Sequence, residues 1–318
     1  MHRNDHFDQE YLWVVTVEEI EAFVCIARTG GFTEASRRLN RSQPAISRRI
    51  RELERSLGAA LFERAGRQVS LTEAGTALLP YAEAALATIR DGERAVRDLS
   101  RDAGGARTLG LAIVGTLADS HIVDALRAFE ADFPEVSVEL RTATSREVST
   151  LVRGGEASLG LRYFPDADPQ LESIPLGTEK LLVVVPASHP VTASSVPDLR
   201  ALPDERWLGF SPERGQPDSF GHLLERRLTA SGLMDPPITR VDSLTAQKRL
   251  VEAGFGVALM PVSSVREELR IGSVRAIEVE SMGAGLPVVV VRRRRGYHSR
   301  PAAAFLRVLK DHTPGLLG

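Results

Sequence analysis

The sequence predicts an α/β protein in three parts: a small helical unit that ends in a β-ribbon, a long linker helix, and a two-lobed α/β module. Three observations carry this expectation. The 318 residues exceed what one hydrophobic core comfortably organises. Apolar residues recur at helical spacing through the first hundred positions, whereas beyond about residue 107 strand-like apolar runs alternate with helical patterns. Between the two regimes lies a glycine-containing break, Asp102-Ala103-Gly104-Gly105-Ala106.

Composition narrows the class. Apolar usage of 43 % with 26 % charged residues is ordinary for globular proteins, which excludes collagen-like, coiled-coil-only and wholly disordered chains. No apolar run reaches bilayer-spanning length, and the first sixteen residues lack the features of a signal peptide, so a cytoplasmic protein with no membrane partner is expected. The single cysteine, Cys25, excludes an internal disulfide and reads as a small, semi-buried hydrophobe on the first helix. Seven histidines are scattered without an HExxH, so neither a metal nor a cofactor is expected.

The net charge of −2 hides an uneven distribution. Only Lys180, Lys248 and Lys310 are lysines among 40 basic residues, so positive charge is nearly all guanidinium. From Ala35 to Arg51 there are arginines at 37, 38, 41, 48, 49 and 51 and no carboxylate. Such a run is usually the solvated face of an amphipathic helix.

Spacing gives the run its meaning. Ile20, Phe23, Val24 and Ala27 mark a first helix that Gly30-Gly31 stops, Thr33 is placed to cap a second through Leu39, and Ser42 caps a third with Pro44 in its first turn. On the third helix Ile46, Ile50, Leu53 and Leu57 form one narrow stripe. At roughly 100° per residue, Pro44, Arg48, Arg51 and Arg55 point the opposite way, with Gln43 and Ser47 on a flank. Its free face thus carries guanidinium forks, a hydroxyl and an amide, the groups that read base edges and grip phosphate. Two short helices before such a third is the helix-turn-helix plan.

Two extended pieces around Ala65-Gly66 follow, suited to a wing with Arg64 and Arg67 near its tip, within reach of backbone phosphates. Thr72 and Glu73 then open the linker helix. Along it Leu78, Ala82, Ala85, Ile89, Gly92, Val96 and Leu99 keep alternating spacings of four and three, a heptad seam expected to join two chains.

Phe23 to Gly75 resembles the LysR-type transcriptional regulators. The blocks that carry the resemblance are GGFTEASRRL, SQPAISRRIRELERSLG, LFER and LTEAG, in order and at native spacing. The resemblance implies that Ser42, Gln43, Pro44, Ser47 and Arg48 meet double-stranded DNA, with Arg64 and Arg67 from the wing. Ser36 stands where the family usually has a second alanine. Residues 1–16 precede the family's usual first helix and are expected to be an extension without chemistry of its own.

Past the hinge, Leu109 to Val114, a helix from about Leu117 to Asp132, Val136 to Arg141, a helix from Arg146 to Gly154, and Ala157 to Leu161 predict a parallel sheet with covered faces. A second set runs through Leu181 to Val185, Trp207 to Phe210, a helix near Phe220 to Ser231, Ile238 to Val241, a helix from Leu244 to Ala253, and Gly256 to Met260. The chain returns through Val288 to Val291 and a helix from Pro301 to Lys310. This resembles the family's effector domain, two α/β lobes related to type II periplasmic binding proteins and joined by crossing strands near Glu179 and Glu280. The expected boundaries are 17–75 for the reader, 76–104 for the linker and hinge, and 107–318 for the effector domain, with residues 180–280 as its second lobe.

Ligands in open α/β sheets bind beyond strand carboxyl ends, beside helix N-termini. The candidate effector contacts are Thr116, Thr144 and Ser145 in the first lobe and Ser211 and Ser243 in the second, with Tyr163 and Phe210 as an apolar wall. By family analogy Ser145 is the strongest. Ser158 replaces a frequent acidic residue, and together with Arg162 it is expected to make the wall hospitable to a carboxylate. Arg292 to Arg295 reads as a solvated turn.

No GxSxG, GxxxxGK[ST] or strand-borne GxGxxG is present, so no enzyme is expected. A solute-binding transport protein would fit the second half and leave the first hundred residues without a use. The expected partners are therefore an interrupted inverted repeat in DNA, a small-molecule effector, a second copy of the chain with tetramer formation as in the family, and RNA polymerase.

Overall fold

The computed structural model describes residues 15–65, 68–99, 107–118, 120–202, 205–212, 220–283 and 285–316, with the backbone alone at 64, 65, 68, 99, 120, 121 and 313–316. The chain divides into two compact units, 1–92 and 93–318.

In the first unit, α1 (Val17–Thr29) begins at a capping box: Thr16 Oγ1 accepts from Glu19 N–H, and the Glu19 carboxylate accepts from Thr16 N–H at 2.9 Å. The second helix, α2 (Phe32–Arg38), starts at Gly31 and not at Thr33. Phe32 belongs to the helix because its ring is needed in the core, 5.9 Å from Phe62. Ser42 caps α3 (Gln43–Leu57) by accepting from Ala45 N–H at 3.4 Å, Pro44 sits in the first turn, and Ile46, Ile50 and Leu53 are buried.

Strands β1 (Phe62–Ala65) and β2 (Gln68–Leu71) pair antiparallel. Glu54 of α3 accepts from the N–H groups of Leu61 and Phe62, at 2.8 and 3.4 Å, which fixes the ribbon to the third helix. Helix α4 (Glu73–Leu99) follows, and its Ala82 and Leu86 join the core of the helical unit.

The second unit opens with a five-stranded sheet in the order β4-β3-β5-β13-β6. Its strands are β3 (Arg107–Val114), β4 (Val136–Ala143), β5 (Leu159–Tyr163), β6 (Leu171–Glu179) and β13 (Leu286–Arg293). Strands β3, β4 and β5 are parallel, as the alternating pattern predicts. The returning β13 is antiparallel to both neighbours, so the sheet is mixed. Apolar runs alone do not reveal strand direction, because a strand buried on both faces reads the same either way. Helices α5 (Ser120–Asp132) and α10 (Arg300–Leu316) pack together through Phe129 and Phe305, 5.4 Å apart, and α6 (Ser145–Arg153) packs on β5.

The second lobe carries the sheet β11-β7-β12-β8 and the parallel pair β9–β10. Its strands are β7 (Leu181–Pro186), β8 (Ser195–Val196), β9 (Trp207–Phe210), β10 (Ile238–Val241), β11 (Ala258–Pro261) and β12 (Val274–Val279), and its helices are α7 (Phe220–Ala230), α8 (Leu244–Glu252) and α9 (Val262–Ile271). Strand β7 is antiparallel to β11 and β12, and β12 is parallel to β8, so this sheet is mixed as well. The chain passes between lobes at Glu179–Lys180 and again between Val279 and Leu286. These crossings touch: a Cβ on Gly285 would lie 1.9 Å from the Glu179 carbonyl oxygen, so only glycine fits there.

Candidate nucleic-acid interface and ligand lobes

The exposed side of α3 holds the DNA-contact candidates together. Ser42, Gln43, Pro44, Arg48, Arg51 and Arg55 are exposed, Ser47 is half-buried beside them, and the core stripe lies on the other side. Arg48 is 71 % exposed, and its contact with Glu52 is a loose 3.8 Å, so its guanidinium is available to a partner. Of the wing, Arg64 lies in β1 opposite Val69. The side chains of Arg64 and Arg67 fall outside the described residues.

The expected seam on α4 divides in two. Ala82 is 2 % exposed within its own unit, and Leu78 packs against the same core, so these two face inward. Ala85, Ile89 and Val96 face outward, joined by Tyr81 at 75 % exposure. A heptad spacing cannot distinguish a stripe covered by the helix's own domain from one left for a second chain. Here α4 has both, offset by about one residue. The side chain of Leu99 lies outside the described residues.

Effector candidates in the first lobe separate by environment. Thr144 is the N-cap of α6, in a capping box with Glu147. Ser145 is the first helical residue and is buried. Thr116 sits in the 3-10 turn Gly115–Leu117 that ends β3, and its buried hydroxyl has no partner among the described residues. In the second lobe Ser243 is exposed and caps α8 by accepting from Ala246 N–H, and Ser211 is exposed after β9.

Tyr163 and Phe210 do not touch one another; Phe220 stands between them, with ring centroids 5.9 Å from each. Phe220 was invisible as a site residue because an aromatic at a helix start reads as core. It brings a ring of the first lobe and one of the second onto a shared apolar surface.

Arg162 corrects an expectation. It lies in β5 and is 5 % exposed, its guanidinium paired with Asp166 and bonded to Ser149 Oγ at 2.6 Å. The charge is thus matched inside the protein, and no cation at this position awaits a ligand carboxylate. Around it Ser149 also donates to Asp166, Asp168 N–H donates to Asp166 Oδ1 at 2.8 Å, and Arg153 pairs with Asp168 at 2.7 Å. Burial raises the Asp166 carboxyl, but these donors and cations outweigh it and hold the group below the usual aspartate range. Of the run read as a solvated turn, Arg292 and Arg293 lie in β13, and Arg294 and Arg295 are exposed in the turn that follows it. Arg292 pairs with Glu172 at 2.8 Å, and Arg294 donates to the carbonyls of Pro169 and Leu171.

Among the described residues no group of three or more His, Cys, Asp or Glu is placed to hold a metal ion, and no helix is long and apolar enough to cross a membrane.

A helix-turn-helix with an arginine-bearing third helix, a ribbon beside it and a separate α/β module define a DNA-binding transcriptional regulator with an effector-binding domain. Residues 17–76 match the bacterial regulatory helix-turn-helix protein of the lysR family, and residues 102–314 match the LysR substrate binding domain. The chain belongs to the LysR family of transcriptional regulators. It is 26 % identical over 304 residues to a probable RuBisCO transcriptional regulator of Emiliania huxleyi, covering 93 % of this chain and 94 % of that protein. It is 28 % identical over 300 residues to the HTH-type transcriptional regulator CbbR of Rhodospirillum rubrum, with 92 % and 95 % covered. Full-length CbnR complexed with its target DNA superposes with a TM-score of 0.58 at 25 % identity, covering 95 % of this chain and 99 % of that one.

Proposed function

We propose that the protein acts in the cytoplasm as a dimer, associating further into a tetramer, that binds an interrupted inverted repeat and changes DNA bending and contact with RNA polymerase when a small molecule enters the junction of its two lobes. Residues 17–75 read the operator, 76–104 join two chains, and 107–318 sense the ligand. The observation that carries this reading is the α3 face. Ser42, Gln43, Pro44, Ser47, Arg48 and Arg51 share one side of a helix whose opposite side is fully packed, so the polar side is left for the major groove. Arg64 and Arg67 of the wing add phosphate contacts. The outward residues Tyr81, Ala85, Ile89 and Val96 of α4 form the contact between chains.

In the sensing domain, Thr116, Thr144, Ser145, Ser211 and Ser243 supply hydrogen bonds, and Tyr163, Phe210 and Phe220 supply the apolar wall. A ligand shifts the assembly only by binding one arrangement more tightly than another. Selection from random duplexes followed by footprinting tests the DNA reading. Two protected half-sites of inverted symmetry, about one helical turn or a multiple apart, are expected. A single isolated half-site would overturn it.

A further inference from the structure

We propose that Glu179 is a positioning residue, the pivot through which the two lobes hold each other in register. It is the last residue of β6, at the crossing between lobes, and is 0 % exposed. Glutamate is almost never buried so completely unless its charge is met. Its two carboxylate oxygens are engaged from different lobes. Tyr163 Oη, at the end of β5, donates to Oε2 at 2.8 Å, and the N–H of Ser263, in the first turn of α9, donates to Oε1 at 3.0 Å.

Neighbouring contacts make this a fixed point. Val262 N–H donates to the Lys180 carbonyl at 3.0 Å, so the start of α9 is held at two successive positions of the crossing. The 3-10 turn Gly115–Leu117 of the first lobe packs on α9. Gly285 of the returning segment presses against the Glu179 backbone. The ten-residue α9 directs the partial positive charge of its N-terminus at the carboxylate.

The chemistry requires a group with two acceptor oxygens. Alanine here would leave the Tyr163 hydroxyl and the Ser263 N–H without this shared acceptor, and aspartate is one methylene short of the same reach. A buried donor stripped of its acceptor is costly. Movement of one lobe against the other therefore turns about Glu179 instead of sliding past it, and a disturbance at Tyr163 is felt at the start of α9.

Hydrogen exchange of the full chain tests this without any effector, so the result is independent of the ligand reading. Tyr163→Phe removes only the first lobe's donor. The amides of residues 262–264, in the other lobe, are expected to exchange about fivefold faster, the factor that one hydrogen bond is worth. Protection of β7 should be kept, and Tyr163→Phe should add nothing in an E179A background. Unchanged exchange at 262–264, or an equal rise throughout the second lobe, would overturn the proposal. Should E179A fail to fold, the single variant Tyr163→Phe decides the matter alone.

Discussion

Arg28 on α1 and Glu83 on α4 meet at 3.1 Å, and the glutamate side chain is only 4 % exposed. The pair ties the linker helix to the first helix of the reader, so the outward residues Tyr81, Ala85 and Ile89 of α4 have a fixed direction relative to α3. Removing Glu83 takes from Arg28 the carboxylate it meets here. Glu83→Ala is expected to cost about 2–3 kcal/mol, the low side of that effect because Arg28 retains some access to water. A urea titration reads it as a lower midpoint, and an unchanged midpoint would show that the pair carries little.

Arg48 is the most direct test of the reading face. Arg48→Ala should weaken operator binding by roughly 1–3 kcal/mol if the guanidinium meets a base edge. If it meets a phosphate, the salt slope should shrink by about 1 instead. Anisotropy titrations at several salt concentrations separate the two, and unchanged affinity and slope would remove Arg48 from the interface.

The two faces of α4 predict opposite outcomes for the same kind of change. Ile89→Asp places a charge on the exposed stripe, so light scattering should report monomers from a reader that melts normally. Ala82→Asp places a charge in the core, and the reader itself should unfold. If Ile89→Asp remains dimeric, the contact between chains lies elsewhere.

Asp166 gives the sensing domain an acid-sensitive element. Its carboxyl sits below its unfolded value, so the unfolded chain takes up the proton more readily. The contribution to stability is then complete above about pH 4 and fades as pH falls through the folded value. Asp166→Asn should lower stability at neutral pH by taking from buried Arg162 the carboxylate it pairs with, and should flatten the loss of stability as pH falls below about 4. Equal pH slopes in wild type and variant would contradict this.

Thr116 offers a substitution that separates binding from folding. Its hydroxyl is buried without a partner among the described residues, so Thr116→Val should leave the melting temperature level or slightly higher. A screen of small carboxylates and aromatic acids by thermal shift should find a compound that stabilises the wild type and not the variant. Equal shifts in both would place the ligand away from this turn.

Much of this architecture was legible in the residues. Ser42, Pro44 and the Ile46, Ile50 and Leu53 stripe specify α3 locally, and strong local signals survive tertiary packing. The stretch Val262 to Val279 was not legible: α9 begins at a proline without a side-chain cap, and the apolar run of β12 is broken by Arg275 and Glu278. The site was read unevenly for a related reason. Thr116 and Ser145 could be placed at strand ends by pattern. The Phe220 ring depends on packing between segments distant in sequence, and the Arg162–Asp166 pair, though only four residues apart, is turned inward onto Ser149 of α6, which no local rule encodes.

The interior position of β13 in its sheet has a consequence for biosynthesis. It lies between β5 and β6, yet it is made after the whole second lobe. On the ribosome the first lobe therefore waits with an open gap between two strands, a slow, non-local closure of the sort that exposes unpaired edges. A nascent chain has its DNA-reading helices long before it has a finished sensor. Chains released early would carry an address without a receiver, and their clearance by proteases would protect the operator from regulators deaf to their signal.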